Sequence, residues 1–351
     1  MGHFVYDLFY NTDVLLKAWT TAAHASWAAR GAPIVVLDIL FQLLAAVAVA
    51  LFLVLNALFI IWFERKISAL MHMRRGPNRV GPFGLRQTLA DTIKLLIKED
   101  IIPDTADKSV FRAAPFVVLA ATIMLFVVLP FGKGMTAADL NVGLLYFLAV
   151  SSLSVIGILA GGWASNNKYS LMGGMRSAAQ IVSYEVPAVL SLLSVALLAG
   201  SLKMGDIVHA QPVFGYAVLQ PVGFLLFLIA SNAEINRGPF DLPESDSELV
   251  SGFLTEYSAM RFAFFFLAEY TNLFLAGAFG ATLFLGGWRG PFLPPFVWFL
   301  IKSYILVFVL IWIRWSFPRL RVDHLMKFSW KVLLPIALLN LLVTAFLVKI
   351  I

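Results

Sequence analysis

The stretch that decides the fold is VLDILFQLLAAVAVALFLVLNALFIIWFERK, residues 36–66, a long apolar run that ends in charged residues. A membrane core about 30 Å thick needs about 20 apolar residues in a helical span, and residues 36–62 exceed that length. Seven more stretches meet the same requirement. The sequence therefore predicts an all-α integral membrane protein, a bundle of about eight transmembrane helices at residues 36–62, 110–131, 142–163, 178–200, 216–236, 262–286, 296–315 and 331–350.

The composition of the 351 residues agrees with this class. Hydrophobic residues make up 60% and charged residues 13%, with a mean hydropathy of +0.87, and these values do not fit a water-soluble core. The formal charge of +6 comes from cations clustered between apolar runs, so we do not expect nucleic-acid binding. The absence of cysteine excludes thiolate-held iron–sulfur clusters within the chain, so any such redox centre is expected in a partner. We predict one polytopic membrane domain over residues 1–351.

The cations also predict the orientation of the chain. Nineteen Lys and Arg lie in four loops, at residues 63–112, 164–177, 237–261 and 314–331, whereas six lie in the terminal segments and the alternate loops. Because cytoplasmic loops carry the excess of Lys and Arg, we expect these four loops in the cytoplasm and both termini outside. The first residues, MGHFVYDLFYNTD, lack the basic segment of a cleavable signal, so none is expected.

Two local patterns predict surface and packing features. In GLRQTLADTIKLLIKED, residues 84–100, apolar side chains recur at helical spacing opposite charged ones. This pattern predicts an amphipathic helix at the membrane surface in the first cytoplasmic loop, ended by Pro103. Within the third span, Gly157 and Gly161 form a small-xxx-small pair, which predicts close packing between helices.

Three glutamates lie where apolar residues would cost less free energy. Glu185, Glu234 and Glu269 fall in the fourth, fifth and sixth spans. Ionisable residues at bilayer depth usually face the bundle interior and often belong to proton relays. A relay is therefore favoured here, and a neutral, hydrogen-bonded structural carboxyl is the alternative for each. Pro187 leaves a backbone carbonyl of its helix without a partner, which either opens a site for water or only kinks the helix.

The loop after the fifth span is strongly acidic. It reads AEINRGPFDLPESDSELVSGFLTEY, residues 233–257, in which Arg237 is followed by five acids, Asp241, Glu244, Asp246, Glu248 and Glu256. Carboxylates this close repel one another, so we expect coupled titration if the loop is partly buried. A solvated acidic face is the alternative, and a site for a hard cation lacks a recognisable ligand spacing.

A second charged segment lies at the end of the first span. It reads FERKISALMHMRRGPNRVGPFGLRQ, residues 63–87, and holds several cations around glycines and prolines that favour a defined turn. Most of these cations are interpreted as determinants of orientation or as contacts for lipid headgroups. Arg65, beside the carboxylate of Glu64 at the mouth of the bundle, is the best candidate for contact with a polar ligand.

Three motifs resemble one known family in order and spacing. They are ERKISALMHMRRGPNRVGPFGLRQTLADTIKLLIKED (64–100), SAAQIVSYEVP (177–187) and AEINRGPFDLPESDSELVSGFLTEYSAMRFAFFFLAEYTN (233–272). Together they are similar to the H subunit of proton-pumping NADH:quinone oxidoreductase, respiratory complex I, whose mitochondrial counterpart is subunit 1. The likeness extends from about residue 36 to residue 349, and each motif spans more than ten residues.

The resemblance implies a subunit that joins the hydrophilic redox arm to the membrane arm. Such a subunit forms much of the chamber through which quinone reaches the terminal iron–sulfur cluster. The resemblance implies that Glu64 and Arg65 lie at the chamber entrance, and that a loop with Arg237, Phe240 and Asp241 borders the chamber. Proton coupling is implied for an acidic funnel of Glu234, Glu244, Asp246 and Glu248, and for the buried Glu269 and Glu185 beyond it. Many members have Glu where this sequence has Asp246, which keeps the charge but shortens its reach.

The same resemblance implies the substrate, cofactors and partners. Quinone, either ubiquinone or menaquinone, is the substrate, while FMN and iron–sulfur clusters lie in partner subunits and no metal or flavin is bound by this chain. The partners are the hydrophilic quinone-site subunits of the peripheral arm, the small membrane subunits, the antiporter-like subunits of the membrane arm, and lipids. The implied location is the bacterial cytoplasmic (inner) membrane, or the mitochondrial inner membrane for an organellar chain.

Three other functions stay open at this level. Buried carboxylates and Pro-broken spans also suit a proton-coupled secondary transporter, although the two related halves usual in such carriers are not found. A structural anchor for a soluble redox arm explains the basic loops but not the buried acids. The equivalent subunit of membrane-bound hydrogenases is a close relative that lacks a quinone.

Overall fold

The computed structural model of the chain describes residues 21, 34–212, 214–243 and 245–350, so the predictions for the N-terminal segment lie outside the described residues. In chain order the helices are α1 (Ile34–Met71), α2 (Gln87–Ile97), α3 (Lys108–Leu125), α4 (Gly143–Ser151), α5 (Leu153–Ala164), α6 (Lys168–Ala199), α7 (Met204–Ala210), α8 (Tyr216–Leu219), α9 (Pro221–Glu234), α10 (Asp246–Leu249), α11 (Ala259–Phe284), α12 (Pro295–Ser316), α13 (Val322–Phe328) and α14 (Leu334–Ile350). Short 3₁₀ turns at Pro82–Gly84 and Gly252–Leu254 and a π-helical turn at Ser329–Leu333 also occur.

The prediction of an all-α membrane bundle is confirmed. Within the described residues, seven helical segments are long and apolar enough to cross a membrane, counting α4 with α5 as one and α13 with α14 as one. Helices suit this setting because every backbone N–H and C=O finds its partner inside the segment, where lipid offers none. The remaining predicted span, the fifth, corresponds to the shorter apolar helix α9.

The fifth span differs from the continuous stretch 216–236 that its apolar composition predicts. The structure divides it into α8 and α9 at Gln220, whose backbone leaves the helical region with φ −130° and ψ 64°. Pro221 follows as the first residue of α9, because proline has no N–H to continue the preceding turn. The 14 residues of α9 rise about 21 Å, less than the thickness of a membrane core.

Three other spans are longer than predicted, among them the last one, which begins at Val322 instead of residue 331. α1 continues beyond residue 62 to Met71, so Glu64 and Arg65 are helical residues. α6 begins at Lys168 instead of residue 178, where the Oδ1 of Asn167 accepts the backbone N–H of Tyr169 at 2.9 Å. Charged residues end an apolar run but do not end a helix, which is why hydropathy alone misplaces these boundaries.

The amphipathic segment of the first basic loop is helical, as predicted, and forms α2 over Gln87–Ile97. Its apolar side chains, among them Leu89, Ile93 and Ile97, are exposed on the protein surface. The charged side is tied to the bundle through Asp91, whose Oδ2 lies 2.6 Å from Nη1 of Arg65. The helix ends well before Pro103, and its position at a membrane surface stays a prediction.

The core is centred on α11, where Leu273, Phe274, Ala278 and Phe279 are fully enclosed. Gly277 lets α12 cross closely, because a Cβ atom added there would lie 2.7 Å from the carbonyl oxygen of Ser303. Close crossing at a small residue is the usual device for packing helices in membranes. α11 therefore presents side chains to several spans at once. Glu269 is one of these side chains.

Gly157 and Gly161 of α5 have the packing role that the sequence predicts. A Cβ atom added at Gly157 would clash with the side chain of Val118 and lie 3.2 Å from the carbonyl oxygen of Ala114, both on α3. A Cβ atom added at Gly161 would lie 3.2 Å from the hydroxyl of Tyr257. The small residues thus bring the backbones of α3 and α5 together.

A Gly157→Ala variant is expected to lower the stability of the detergent-extracted protein by about 1–3 kcal/mol, the usual cost of overpacking. Thermal unfolding in detergent measures the effect. Gly205→Ala is the matched control, because the nearest atoms to a Cβ added at Gly205 are 3.6 Å away, an ordinary contact. Equal melting of the two variants would contradict the close contact of α3 with α5.

Candidate functional site

A buried arginine lies at the centre of the candidate site. Arg237 follows α9, and its side chain is 1% exposed. Its Nη1 donates to Glu64 Oε2 on α1 at 2.6 Å, and its Nε donates to Glu269 Oε1 on α11 at 3.0 Å. The ring centroid of Tyr270 lies 4.4 Å from the guanidinium carbon, in cation–π contact. These partners are needed because a buried, unpaired charge costs several kcal/mol.

A second arginine balances the charge. Arg314, in the last turn of α12, donates from Nη1 to Glu64 Oε1 at 2.6 Å. Glu64 therefore bridges two guanidinium groups, and its own side chain is 6% exposed. Two carboxylates and two guanidiniums have no net charge together, which favours their burial. We call this group the ion cluster; its members are Glu64, Arg237, Glu269 and Arg314.

The turn after α9 directs Arg237 into the bundle. Asn236 adopts the left-handed conformation, with φ 58°, which asparagine tolerates better than most residues. Its Nδ2 donates to Ser177 Oγ at 2.9 Å, and its Oδ1 accepts from Gln180 Nε2 at 3.1 Å. Ser177 and Gln180 belong to α6, so a neighbouring span anchors the turn that carries Arg237.

Asp241, in the same loop as Arg237, forms a separate ion pair with a residue of the loop after α12. Its Oδ2 accepts from Arg319 Nη2 at 2.9 Å, and Arg319 Nη1 donates to Ser245 Oγ at 2.8 Å. Burial raises the pKa of the Asp241 carboxyl above its usual value of 3.8, while the positive charge of Arg319 offsets part of the rise. Phe240 is buried beside it, with its ring edge-on to that of Tyr184 at 5.2 Å.

Two small cavities lie between the helices at the end of α9. The first has a volume of about 50 Å³ and the second about 40 Å³. Glu234, at the end of α9, lines both cavities, and Glu269 lines the second. Each cavity is large enough for water, because one water molecule needs about 10–15 Å³ of space open to its centre. Glu269 thus belongs to the ion cluster and also faces a cavity that it shares with Glu234.

Glu185 is the third intramembrane acid and lies on α6. It is partly buried, and among the described residues it forms no ion pair. It lies near enough to Glu234 for the two carboxylates to interact electrostatically. The three acids predicted from the sequence therefore occur in different surroundings: Glu269 is paired with an arginine, Glu234 lines two cavities, and Glu185 neighbours Glu234.

The chain matches a protein family described as NADH dehydrogenase over residues 44–345, a range that contains the whole ion cluster and both cavities. This chain belongs to the NADH dehydrogenase family.

The H subunit of NADH-quinone oxidoreductase from Carboxydothermus hydrogenoformans is 48% identical over 344 residues, 97% of this chain and 96% of that protein. The H subunit from Dehalococcoides mccartyi is 53% identical over 295 residues, 84% of this chain and 83% of the relative. The H subunit numbered 1 from Geobacter metallireducens is 52% identical over 320 residues, 88% of this chain and 97% of the relative. The family that the three motifs predict is confirmed.

In this member of the NADH dehydrogenase family, Glu64 and Arg65 are adjacent in sequence but have different partners. Glu64 points into the ion cluster, whereas Nη1 of Arg65 lies 2.6 Å from Asp91 Oδ2 on α2. The Arg65 side chain is 41% exposed. Neighbouring residues on a helix do not face each other, so one residue lies inside the bundle and the other lies against the surface helix.

The acidic loop of this family member is described only in part. Glu248 is exposed, and its Oε2 lies 2.6 Å from Nη1 of Arg176 on α6. Glu256 accepts from Asn167 Nδ2 at 2.6 Å. Glu244 and the side chain of Asp246 lie outside the described residues, so their predicted place in a funnel stays a prediction.

Sequence reasoning misses several partners of the predicted site residues. The charge pattern counts Arg314 and Arg319 only among the cations that orient the chain, and it predicts nothing for Tyr270, Asn236 or Gln180. The sequence does contain a signal that could have suggested Arg314 and Arg319 as partners. Their basic loop and the acidic loop are both predicted on the cytoplasmic side of the membrane, where opposite charges can pair. Tyr270 follows Glu269 directly, yet only the fold brings its ring against Arg237.

The raised pKa of Asp241 predicts how the stability of the protein depends on pH. Between 3.8 and the raised value, the folded protein holds this proton more tightly than the unfolded chain does. The contribution of Asp241 to stability therefore decreases as pH rises through that window, and Asp241→Asn is expected to remove this decrease. Thermal midpoints of the detergent-extracted protein between mildly acidic and neutral pH measure it. Asp104→Asn, at an exposed carboxyl, is the control, and parallel pH curves for both variants would refute the assignment.

Proposed function

We propose that this chain is the membrane-embedded H subunit of an NADH:quinone oxidoreductase of the complex I type. In this proposal it forms much of the quinone-binding chamber and couples quinone reduction to proton translocation through buried carboxylates. The names of the relatives support the oxidoreductase, since all three are H subunits of NADH-quinone oxidoreductases. The observation that carries the coupling is the position of Glu269, which is bonded to Arg237 and lines a cavity together with Glu234.

The chemistry of quinone reduction gives the ion cluster its proposed role. A quinone takes up two electrons and two protons to become a quinol, so negative charge and a demand for protons arise together in the chamber. Arg237 borders the chamber in this proposal, with Phe240 and Asp241 in the same loop and Glu64 and Arg65 at the entrance. Negative charge near Arg237 competes with Glu269 for the guanidinium, because Arg237 and Glu269 are largely buried, where the dielectric constant is low.

Proton movement follows from that competition. When Arg237 turns from Glu269 toward the new charge, the Glu269 carboxylate loses a bonding partner and takes up a proton from the hydrated cavity. Glu234 lines the same cavity and supplies or relays that proton, and Glu185 responds to the change of charge on Glu234. Glu244, Asp246 and Glu248 complete the funnel that leads from the loop in this proposal.

The remaining parts of the enzyme belong to partners. A chain without cysteine offers no thiolate for an iron–sulfur cluster, so the clusters and FMN are assigned to subunits of the peripheral arm. In this proposal those subunits dock on the basic cytoplasmic loops, small membrane subunits and antiporter-like subunits continue the membrane arm, and lipids cover the rest. The chain is a single polytopic domain over residues 1–351 in the bacterial inner membrane, or the mitochondrial one if organellar, with both termini outside.

The test is to extract the tagged protein in mild detergent and analyse what co-purifies. We expect flavin, iron–sulfur signals in electron paramagnetic resonance spectra, and NADH:quinone activity that stops with a quinone-site inhibitor. Iron–sulfur signals with hydrogenase activity but neither flavin nor quinone reduction would replace the proposal with the hydrogenase relative. A protein that purifies alone and moves a solute would replace it with a transporter. Untagged membranes treated in the same way are the control.

A further inference from the structure

Asn272 occupies the boundary between the two cavities. It lies on α11, three residues after Glu269, and residues at that spacing share one face of a helix. The linings of the two cavities share four side chains, those of Ser154, Glu234, Ile235 and Asn272. The polar side chain of Asn272 thus lines both cavities, whereas Glu269 lines only the second.

The described residues leave the side-chain carboxamide of Asn272 without a hydrogen-bond partner. Within the described part of the chain it neither donates nor accepts a side-chain hydrogen bond, although it is only partly exposed. Ser154 is already committed, since its hydroxyl donates to the carbonyl oxygen of Ser151 at 2.7 Å. A carboxamide has two N–H donors and an acceptor oxygen, and in a protein interior such groups are hydrogen-bonded to protein or to water.

Water in the cavities satisfies this requirement. Volumes of about 50 and 40 Å³ exceed the roughly 10–15 Å³ that one water molecule occupies on this measure. The second oxygen of Glu269, Oε2, also lacks a hydrogen bond to the described residues, because Arg237 contacts Oε1 only. The lining of the second cavity therefore includes Glu269, one of whose carboxylate oxygens has no partner among the described residues, and Asn272, whose carboxamide has none there either.

We infer that Asn272 holds ordered water which joins the two cavities and carries protons between Glu234 and Glu269. The inference rests on the proposed function and adds a positioning residue to it. In one transfer, the carboxyl of Glu234 gives its proton to a water molecule, and that water gives another of its protons to the carboxylate of Glu269. Glu234 becomes a carboxylate, Glu269 becomes a carboxyl, and the water is unchanged. Asn272 does not titrate, so it orients the water without taking the proton.

The test uses inverted membrane vesicles that contain the assembled complex with Asn272→Leu or Asn272→Ser. Leucine has a similar size but cannot bind water, whereas serine keeps a hydroxyl and leaves room for an extra water molecule. NADH-driven proton uptake per electron, NADH:quinone turnover and the solvent deuterium isotope effect are measured, with flavin content as the measure of assembly. We expect Asn272→Leu to lower proton-coupled turnover roughly tenfold at normal assembly, and Asn272→Ser to restore much of it.

Asn340→Leu is the matched control. Asn340 lies on α14, does not line either cavity, and donates to Ser194 Oγ at 3.3 Å, so its loss tests the effect of removing an intramembrane carboxamide as such. Unchanged proton uptake and isotope effect in Asn272→Leu would overturn the inference. Equal losses in Asn340→Leu, or no recovery in Asn272→Ser, would also overturn it. Glu234→Gln in the same vesicles separates the two proposals, because full activity of that variant refutes the relay itself.

Discussion

The Arg237→Met variant is expected to lose quinone reduction and to unfold at a markedly lower temperature than the unmodified protein. Removing the guanidinium leaves Glu64 with Arg314 as its remaining cation and leaves Glu269 with none in contact among the described residues. Breaking a buried ion pair by removing one partner costs about 3–5 kcal/mol, because a buried charge is left uncompensated. Methionine keeps much of the side-chain volume, so the effect reports charge more than packing. Thermal unfolding of the extracted complex and its NADH:quinone activity are the measurements.

Three further variants sharpen this prediction. Arg319→Met removes an arginine whose side chain is 46% exposed, and because water screens the charge of this arginine, its loss is expected to cost less stability than the loss of the fully buried Arg237. Arg237→Lys is expected to be intermediate, because one ammonium group cannot span two carboxylates as a planar guanidinium does. Adding Glu269→Gln to Arg237→Met is expected to restore part of the stability but none of the activity. If Arg237→Met melts no lower than Arg319→Met, the ion cluster does not hold these helices together.

Glu234→Gln is expected to abolish proton translocation and to slow coupled quinone reduction at least roughly tenfold, the scale of losing a group that transfers a proton. Glutamine has nearly the same shape and can hydrogen-bond, so the helices should pack as before. The physical reason for a large effect is the position of Glu234 in both cavities, where no other residue that they share can titrate. Proton uptake by vesicles during NADH oxidation measures the loss.

The control for Glu234→Gln is Glu99→Gln, at an exposed carboxyl of the first basic loop, which is expected to behave as the unmodified protein. Flavin content and the melting temperature of each variant check that the complex assembles. Full proton uptake per electron in Glu234→Gln would refute the relay and favour a subunit that only anchors the peripheral arm. A loss of uptake with unchanged quinone reduction would show that the two processes can be separated.

The membrane class of the protein and its family could be predicted from the sequence, because both depend on continuous stretches of the chain. An apolar run can be compared directly with the thickness of a membrane, and the three motifs are uninterrupted segments. The fifth span shows where this reasoning stops. Gln220 and Pro221 lie within a run that is apolar enough on average, yet the backbone breaks there. The break is stabilised from elsewhere, since Gln220 Nε2 donates to Thr344 Oγ1 and its Oε1 accepts from Ser194.

The sequence by itself determined that Glu185, Glu234 and Glu269 lie in apolar spans, and its resemblance to a known family added Glu64 and Arg237 to the candidate site residues. Only the tertiary structure decided their partners, because Arg237 is 173 residues from Glu64 in the chain and Arg314 is 250 residues from it. Periodicity shows which residues share a helix face, but it carries no information about which other helix packs against that face. Adjacent side chains on a helix point in different directions, and the packing of separate segments determines which residues each of them contacts. Arg65 therefore pairs with Asp91 on α2, whereas Glu64 pairs with Arg237 and Arg314.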